Sequence, residues 1–326
     1  MRYAFIILHY KAFEITAACV DSILALENSD QAAVIVVDNA SGNGSGEALL
    51  EKYKAVSNVK VLLRDSNDGY SRANNEGYAL ARELYDPDFV IVANNDVEFP
   101  QKDFLARIEN IYHEYNYAVL GPDTLKTATG EHQNPVRRQP MSLERIEAEL
   151  EKDSKKLNNL TALCLAKQVK NAIIGEKLNE KIKQYVHRKS RGDFDPVEVY
   201  ENVCIFGACQ IFSKNYTSLR EKLYYPETFF YYEEDIMARY CLNHGLKVMY
   251  HPGVQVYHLE SASTAVAHSK LKQNMKFKLE NKVAGGSVYR DMLIALAEND
   301  GTPEKEAELS DVETNAKTRE SGEKND

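Results

Sequence analysis

The chain has 326 residues, 44% hydrophobic and 27% charged, with a net charge of −9. That size supports one large core or two modest ones, and the proportions are those of a globular protein. The acidic balance excludes nucleic acid as an expected partner. No apolar run approaches the roughly 20 residues that span a bilayer, and the five cysteines (19, 164, 204, 209 and 241), without metal-ligand spacing, predict reduced thiols in a cytoplasmic protein.

Met1-Arg2 runs straight into "YAFIILHY" (3–10), so no cleaved leader is expected. Residues 3–10 are a continuous apolar run, as in a strand covered on both faces. Ile15, Cys19, Ile23 and Leu26 then recur at helical spacing over 14–27. "AAVIVVDNAS" (32–41) reads as a second buried strand ending on Asp38. A helix over 45–56, a strand over 59–65, a loop running into a helix across "SNDGYSRANNEGYALARELY" and a strand over 89–93 follow. This alternation predicts an α/β fold with a mostly parallel, Rossmann-like sheet flanked by helices. Ligands bind such sheets beyond the carboxyl ends of the strands. His9, Tyr10, Asp38, Asn39 and Asn94–Asp96 all fall there.

Residues 141–192 lack strand patterns and predict a basic helical insertion. Lys155 to Gly192 holds ten Lys/Arg against two Glu, with Leu163, Ala166, Val169, Ile173, Leu178 and Ile182 near one helical face. The pattern fits a solvated surface helix, or a peripheral contact of 155–190 with anionic lipid or a lipid-linked acceptor. Strand patterns return at 202–213 and 247–258, and 267–297 read as a C-terminal helical segment. From Glu298 onward ten acids and four bases with few large apolar residues predict a disordered tail.

Several stretches carry candidate chemistry. Asp38 before "NASGNGSG" is either an Asx-turn cap or a carboxylate for a nucleobase or ribose. Its glycines do not match the dinucleotide pattern, and no phosphate loop of the Gly-x-x-x-x-Gly-Lys type occurs. In "NDGYSRANNEGYALA" (67–81), Gly69 suits a tight turn and Ser71 or Asn74 a helix cap. The same stretch also suits a diphosphate-facing loop with Arg72 as its basic residue. Glu233, Glu234 and Asp235 after four aromatics favour a helix start, or a sugar cleft with a carboxylate base. His258 ends a strand and is a candidate metal or phosphate ligand.

In order, "VIVVDNAS", "NDGYSRANNEGYALA", "VANNDVEF", "FGACQIFS", "FYYEEDIMARYCLNHGLKV" and "VYHLESAST" resemble a family 2 glycosyltransferase, the bacterial rhamnosyltransferase-like members above all. The resemblance covers residues 3–265 and implies the GT-A nucleotide-diphospho-sugar transferase fold, with 266–297 as a helical segment outside it. It implies donor contacts from His9, Tyr10 and Asp38, from Asn67, Gly69, Arg72 and Asn74, and from Asn95 near the ribose. Asn94-Asn95-Asp96 matches a degenerate Asp-x-Asp motif, with Asp96 ligating a divalent cation, Mg²⁺ or Mn²⁺, and His258 approaching the metal or diphosphate. Glu234-Asp235 matches a Glu-Asp pair with Asp235 as general base. Gly207 and Ala208 would line the acceptor side, and Tyr231 and Tyr232 would stack on sugar. Met237 stands where members often carry a second Asp.

The implied activity is inverting transfer from dTDP-rhamnose or a UDP-hexose to a glycan or lipid-linked glycan in cell-surface polysaccharide synthesis, on the inner face of the membrane. Two rivals remain: a sugar-1-phosphate nucleotidyltransferase, which would want a Gly-rich basic loop where this chain has "HYKAFEITA", and a non-catalytic sugar-nucleotide or glycan-binding protein. Oligomeric state is left open by the sequence.

Overall fold

A computed structural model describes residues 1–174, 194–260 and 271–298. The first half alternates as expected: β1 (Tyr3–His9), α1 (Phe13–Leu24), β2 (Ala32–Asp38), α2 (Ser45–Tyr53), β3 (Val59–Leu63), α3 (Tyr70–Tyr85) and β4 (Phe89–Asn94). Then come β5 (Val97–Glu98), α4 (Phe104–Tyr115), β6 (Val119–Lys126), α5 (Leu143–Asn158), α6 (Leu160–Ile174), β7 (Tyr200–Glu201), β8 (Cys209–Ser213), α7 (Lys214–Thr217), α8 (Glu233–Asn243), β9 (Val248–His258) and α9 (Leu271–Glu298).

The strands form one sheet in the order β3-β2-β1-β4-β8-β6-β9-β5, with β7 on β9. β3, β2, β1 and β4 run parallel. β8 is antiparallel to both β4 and β6, while β6 and β9 are parallel. β1 shows why its sequence lacks alternation: Tyr3, Phe5 and Ile7 enter one apolar cluster with α1 and α4, whereas Ala4 and Ile6 enter a second with α3.

The expected strand over 202–213 is shorter, because residues 202–206 leave the sheet. Cys204 instead pairs with Arg137, its amide donating to the Arg137 carbonyl at 2.9 Å. The insertion and the C-terminal helix pack on each other. Ile146 and Leu150 of α5 join Tyr289, Met292 and Leu293 of α9 and Ile236 of α8, and Leu160 and Cys164 of α6 meet Leu279. The predicted apolar face of the insertion is therefore divided: Leu163 packs inward, while Val169 is 57% exposed beside Leu165 at 58%. Leu178 and Ile182 lie outside the described residues, as do 299–326.

Candidate active site

Parallel pairing puts the carboxyl ends of β1, β2 and β4 side by side, His9 in register with Asp38 and Leu8 with Asn94. His9 is fully buried. Its ring nitrogens lie 2.7 Å from Thr16 Oγ1 and 2.7 Å from Ser45 Oγ, and burial lowers its pKa against the opposing pull of Asp38. Both nitrogens are thus used to tie β1 to α1 and α2. Tyr10 follows, half-buried, with the Lys11 ammonium 4.8 Å from its ring centre. Asp38 Oδ1 accepts from the Ser41 hydroxyl and from the Ser41 amide at 3.2 Å. The first turn of α2 runs so close that a Cβ on Gly46 would sit 2.3 Å from Asp38 Oδ2.

The loop before α3 is built around Arg64, which sequence reasoning missed. Its guanidinium donates to Asn39 Oδ1 at 2.6 Å and pairs with Asp68 and Glu76. Asn39 in turn donates to Asn67 Oδ1 at 3.0 Å, which also accepts from the Gly69 amide at 3.2 Å. Gly69 has φ +90°, and a Cβ there would lie 2.4 Å from the Phe229 carbonyl oxygen. Arg72 is half-exposed and paired with Glu227 at 3.0 Å. Asn74 is buried, its Nδ2 donating to the Tyr70 carbonyl at 2.9 Å. In this conformation Arg72 is paired with Glu227, while Asn74 Oδ1 is buried without a hydrogen-bond partner.

Beyond β4, Asn95 is buried and its Nδ2 donates to Thr16 Oγ1 at 2.9 Å. The structure brings Asp96 and His258 together. β5 pairs with β9 so that Val97 faces His258, and His258 Nε2 lies 3.3 Å from Asp96 Oδ1. His258 Nδ1 is 2.8 Å from Gln133 Oε1, a partner the sequence did not reveal. One carboxylate and one imidazole nitrogen, converging with little exposure, suit a divalent cation whose remaining ligands come from a bound diphosphate. Among the described residues no group of three or more His, Cys, Asp or Glu could hold a metal by itself.

α8 begins on strained backbone: Tyr231 and Tyr232 have φ +74° and +72°. Three acids follow, about 100° apart on the helix, and so take different surroundings. Glu233 is buried and accepts from Thr228 Oγ1 at 2.8 Å; burial, then repulsion from Glu234, pushes its pKa up to about 8. Glu234 is half-buried and accepts from the Gly207 amide at 3.2 Å, and burial raises its pKa too. A Cβ on Gly207 would lie 2.7 Å from Glu234 Oε1. Asp235 is 1% exposed, gripped by the Arg137 guanidinium and by the Met141 amide at 3.0 Å. Burial raises its pKa and Arg137 opposes the rise. Asp235, the acid expected to be the base, is the most buried of the three, and Glu234 is the least buried. Tyr232 stacks on Tyr289 at 6.2 Å, inside the helical cluster, and Tyr231 is half-buried under Lys282.

The segment Phe206–Ala208 joins these parts. Phe206 packs edge-on against His258, Gly207 holds Glu234, and the Ala208 carbonyl accepts from the Asn94 amide at 2.9 Å.

Residues 4–172 match the sequence model of the family described as glycosyl transferase family 2. No curated protein matches the chain. Among solved structures, GalNAc-T7 with UDP, GalNAc and Mn²⁺ superposes with a TM-score of 0.52 at 12% identity, over 79% of this chain and 44% of that one. TarS of S. aureus in complex with UDP-GlcNAc superposes with a TM-score of 0.37 at 19% identity, over 44% of this chain and 41% of that one. The chain therefore spans less than half the length of these structures.

Proposed function

Because the chain belongs to glycosyl transferase family 2 and has the GT-A fold, we propose that it is an inverting glycosyltransferase acting from a nucleoside-diphosphate sugar, dTDP-rhamnose or a UDP-hexose, on a hydroxyl of a glycan or lipid-linked glycan in cell-surface polysaccharide synthesis. The observation that carries this reading is the segment Phe206–Ala208, where the Phe206 ring packs on His258 and the next amide, that of Gly207, donates to the half-buried Glu234 carboxylate. Family membership sets the nucleotidyltransferase alternative aside.

In this reading Tyr10 and Asp38 receive the base and ribose at the ends of β1 and β2. Asp96 and His258 hold the divalent cation. Bound there, a divalent cation supplies Lewis-acid neutralisation of the leaving diphosphate. The Glu234 carboxylate accepts the proton of the acceptor hydroxyl as its oxygen attacks the anomeric carbon. The new bond forms on the face opposite the breaking bond to the diphosphate, which inverts the centre and releases the nucleoside diphosphate. Burial makes Glu234 a stronger base than an exposed carboxylate. Asp235 acts through Arg137, anchoring the first turn of α8 to the 137–141 strap.

Glu234→Gln should lower kcat by roughly 10²–10⁴-fold and leave nucleoside diphosphate affinity within twofold. Asp235→Asn should instead lower stability, by about 2 kcal/mol, since it leaves Arg137 poorly paired. Steady-state kinetics, calorimetry and thermal melts separate the two; near-normal kcat in Glu234→Gln removes it as the base.

A further inference from the structure

We propose that Gln133 is a positioning residue that fixes which ring nitrogen of His258 faces Asp96, and that Glu260 and Lys126 fix Gln133. The inference rests on reading Asp96 and His258 as the cation pair and deepens it. Backbone pairing first sets the register: the Gln133 amide donates to the Thr124 carbonyl at 2.8 Å, and Lys126 lies opposite His258 in the β6–β9 pair. The polar side chains of 126, 133, 258 and 260 thereby meet at one sheet edge.

The order of donors and acceptors along this chain is forced from its outer end. The Lys126 ammonium pairs with the Glu260 carboxylate. An ionised carboxylate only accepts hydrogen bonds. Glu260 Oε1 lies 2.8 Å from Gln133 Nε2, so the amide turns its NH₂ group outward to Glu260. Its carbonyl oxygen is then turned inward, 2.8 Å from His258 Nδ1. A carbonyl oxygen also only accepts, so Nδ1 carries the hydrogen and, in the neutral ring, Nε2 keeps a lone pair.

That lone pair faces Asp96 Oδ1 across 3.3 Å, where His258 and Asp96 are 8% and 10% exposed. Adjacent ligands of an octahedral hard cation stand about 3 Å apart, so the pair matches the bite of one ion. With the opposite tautomer, Nε2–H would donate to Asp96 and the pair would close on itself. Gln133 therefore holds the mouth open. Turning the amide over would set its oxygen against the Glu260 carboxylate and its NH₂ against Nδ1–H, losing both bonds at once. Such outer hydrogen bonds to a ligating histidine commonly change metal affinity 10–100-fold.

The test uses the ¹⁵N-labelled full chain, with the His258 ring signals identified by their loss in His258→Gln. The wild type should carry the hydrogen on Nδ1, and Gln133→Leu should lose that preference. Mn²⁺ affinity in the presence of UDP or dTDP, read by electron paramagnetic resonance, should fall 10–100-fold in Gln133→Leu and in Glu260→Gln. Nucleotide affinity without metal should stay unchanged. Glu260 is a surface residue, so its variant keeps the fold and tests the relay even where Gln133→Leu does not. A hydrogen on Nε2 in the wild type, or wild-type Mn²⁺ affinity in both variants, overturns the proposal. A wild type that binds no Mn²⁺ with either nucleotide overturns the cation reading itself, while the ring-nitrogen measurement still decides the role of Gln133.

Discussion

A carboxyl group withdrawn from water favours its neutral form, and Glu233, closed in by Thr228 and Glu234, has a pKa raised from 4.5 to about 8. The folded chain then holds a proton that the unfolded chain releases between those values. Stability from this group is complete below the unfolded value near 4.5 and is lost as pH rises through about 8. Glu233→Gln keeps the oxygen that accepts from Thr228 and has no proton to lose. Its melting temperature should decline less than that of the wild type between pH 5 and pH 8, as thermal melts across that range would record. Equal slopes would mean that Glu233 is ionised throughout. At this scale the sequence announced the three acids but not their separate fates. Those depend on Arg137, Gly207 and Thr228, which lie 5 to 98 residues away and carry no local signal.

Among elements, α9 bears on the site through its glycines. A Cβ on Gly285 would stand 2.7 Å from the Tyr231 carbonyl oxygen and 2.8 Å from that of Phe230. Tyr231 is the first residue of the left-handed pair that precedes α8, and Phe230 comes just before it. A glycine inside a helix costs about 1 kcal/mol relative to alanine, so alanine would ordinarily stabilise here. Gly285→Ala should do the opposite, lowering the melting temperature and reducing kcat more than it weakens nucleotide binding, because the displaced turn carries Glu233 and Glu234. A more stable, fully active variant would show that α9 can slide without disturbing α8. The strands β1 to β4 and the helices α1 to α3 were legible from periodicity, since each must cover a continuous apolar face. The departure of 202–206 from the sheet was not: Val203, Cys204 and Ile205 are as apolar as a strand, but the backbone of Cys204 bonds to Val136 and Arg137.

Over the whole molecule, the insertion and the C-terminal helix behave as one helical layer on the α8 side of the sheet, burying Ile146, Leu150, Tyr289, Met292 and Leu293. Each large apolar side chain so buried contributes about 1.5–3 kcal/mol. Truncation after residue 270 should therefore lower stability by several such increments and abolish transfer. A truncated chain with the wild-type melting temperature would show that the catalytic layer stands alone. No helix among the described residues is long and apolar enough to cross a membrane. The exposed Leu165 and Val169 on basic α6 keep the surface-contact reading in play. Deleting 155–190 should abolish binding to anionic vesicles in flotation assays, and unchanged flotation would refute the contact.

By itself the sequence determined the parallel half of the sheet, the polar strand ends and the residues able to carry the chemistry, because buried strands and helix faces impose periods that a chain cannot disguise. Only the tertiary structure decided which of those residues meet. Asp96 finds His258 across 162 positions because β5 and β9 pair, and Glu234 stays open where Asp235 closes on Arg137 because one helical step turns a side chain to another face.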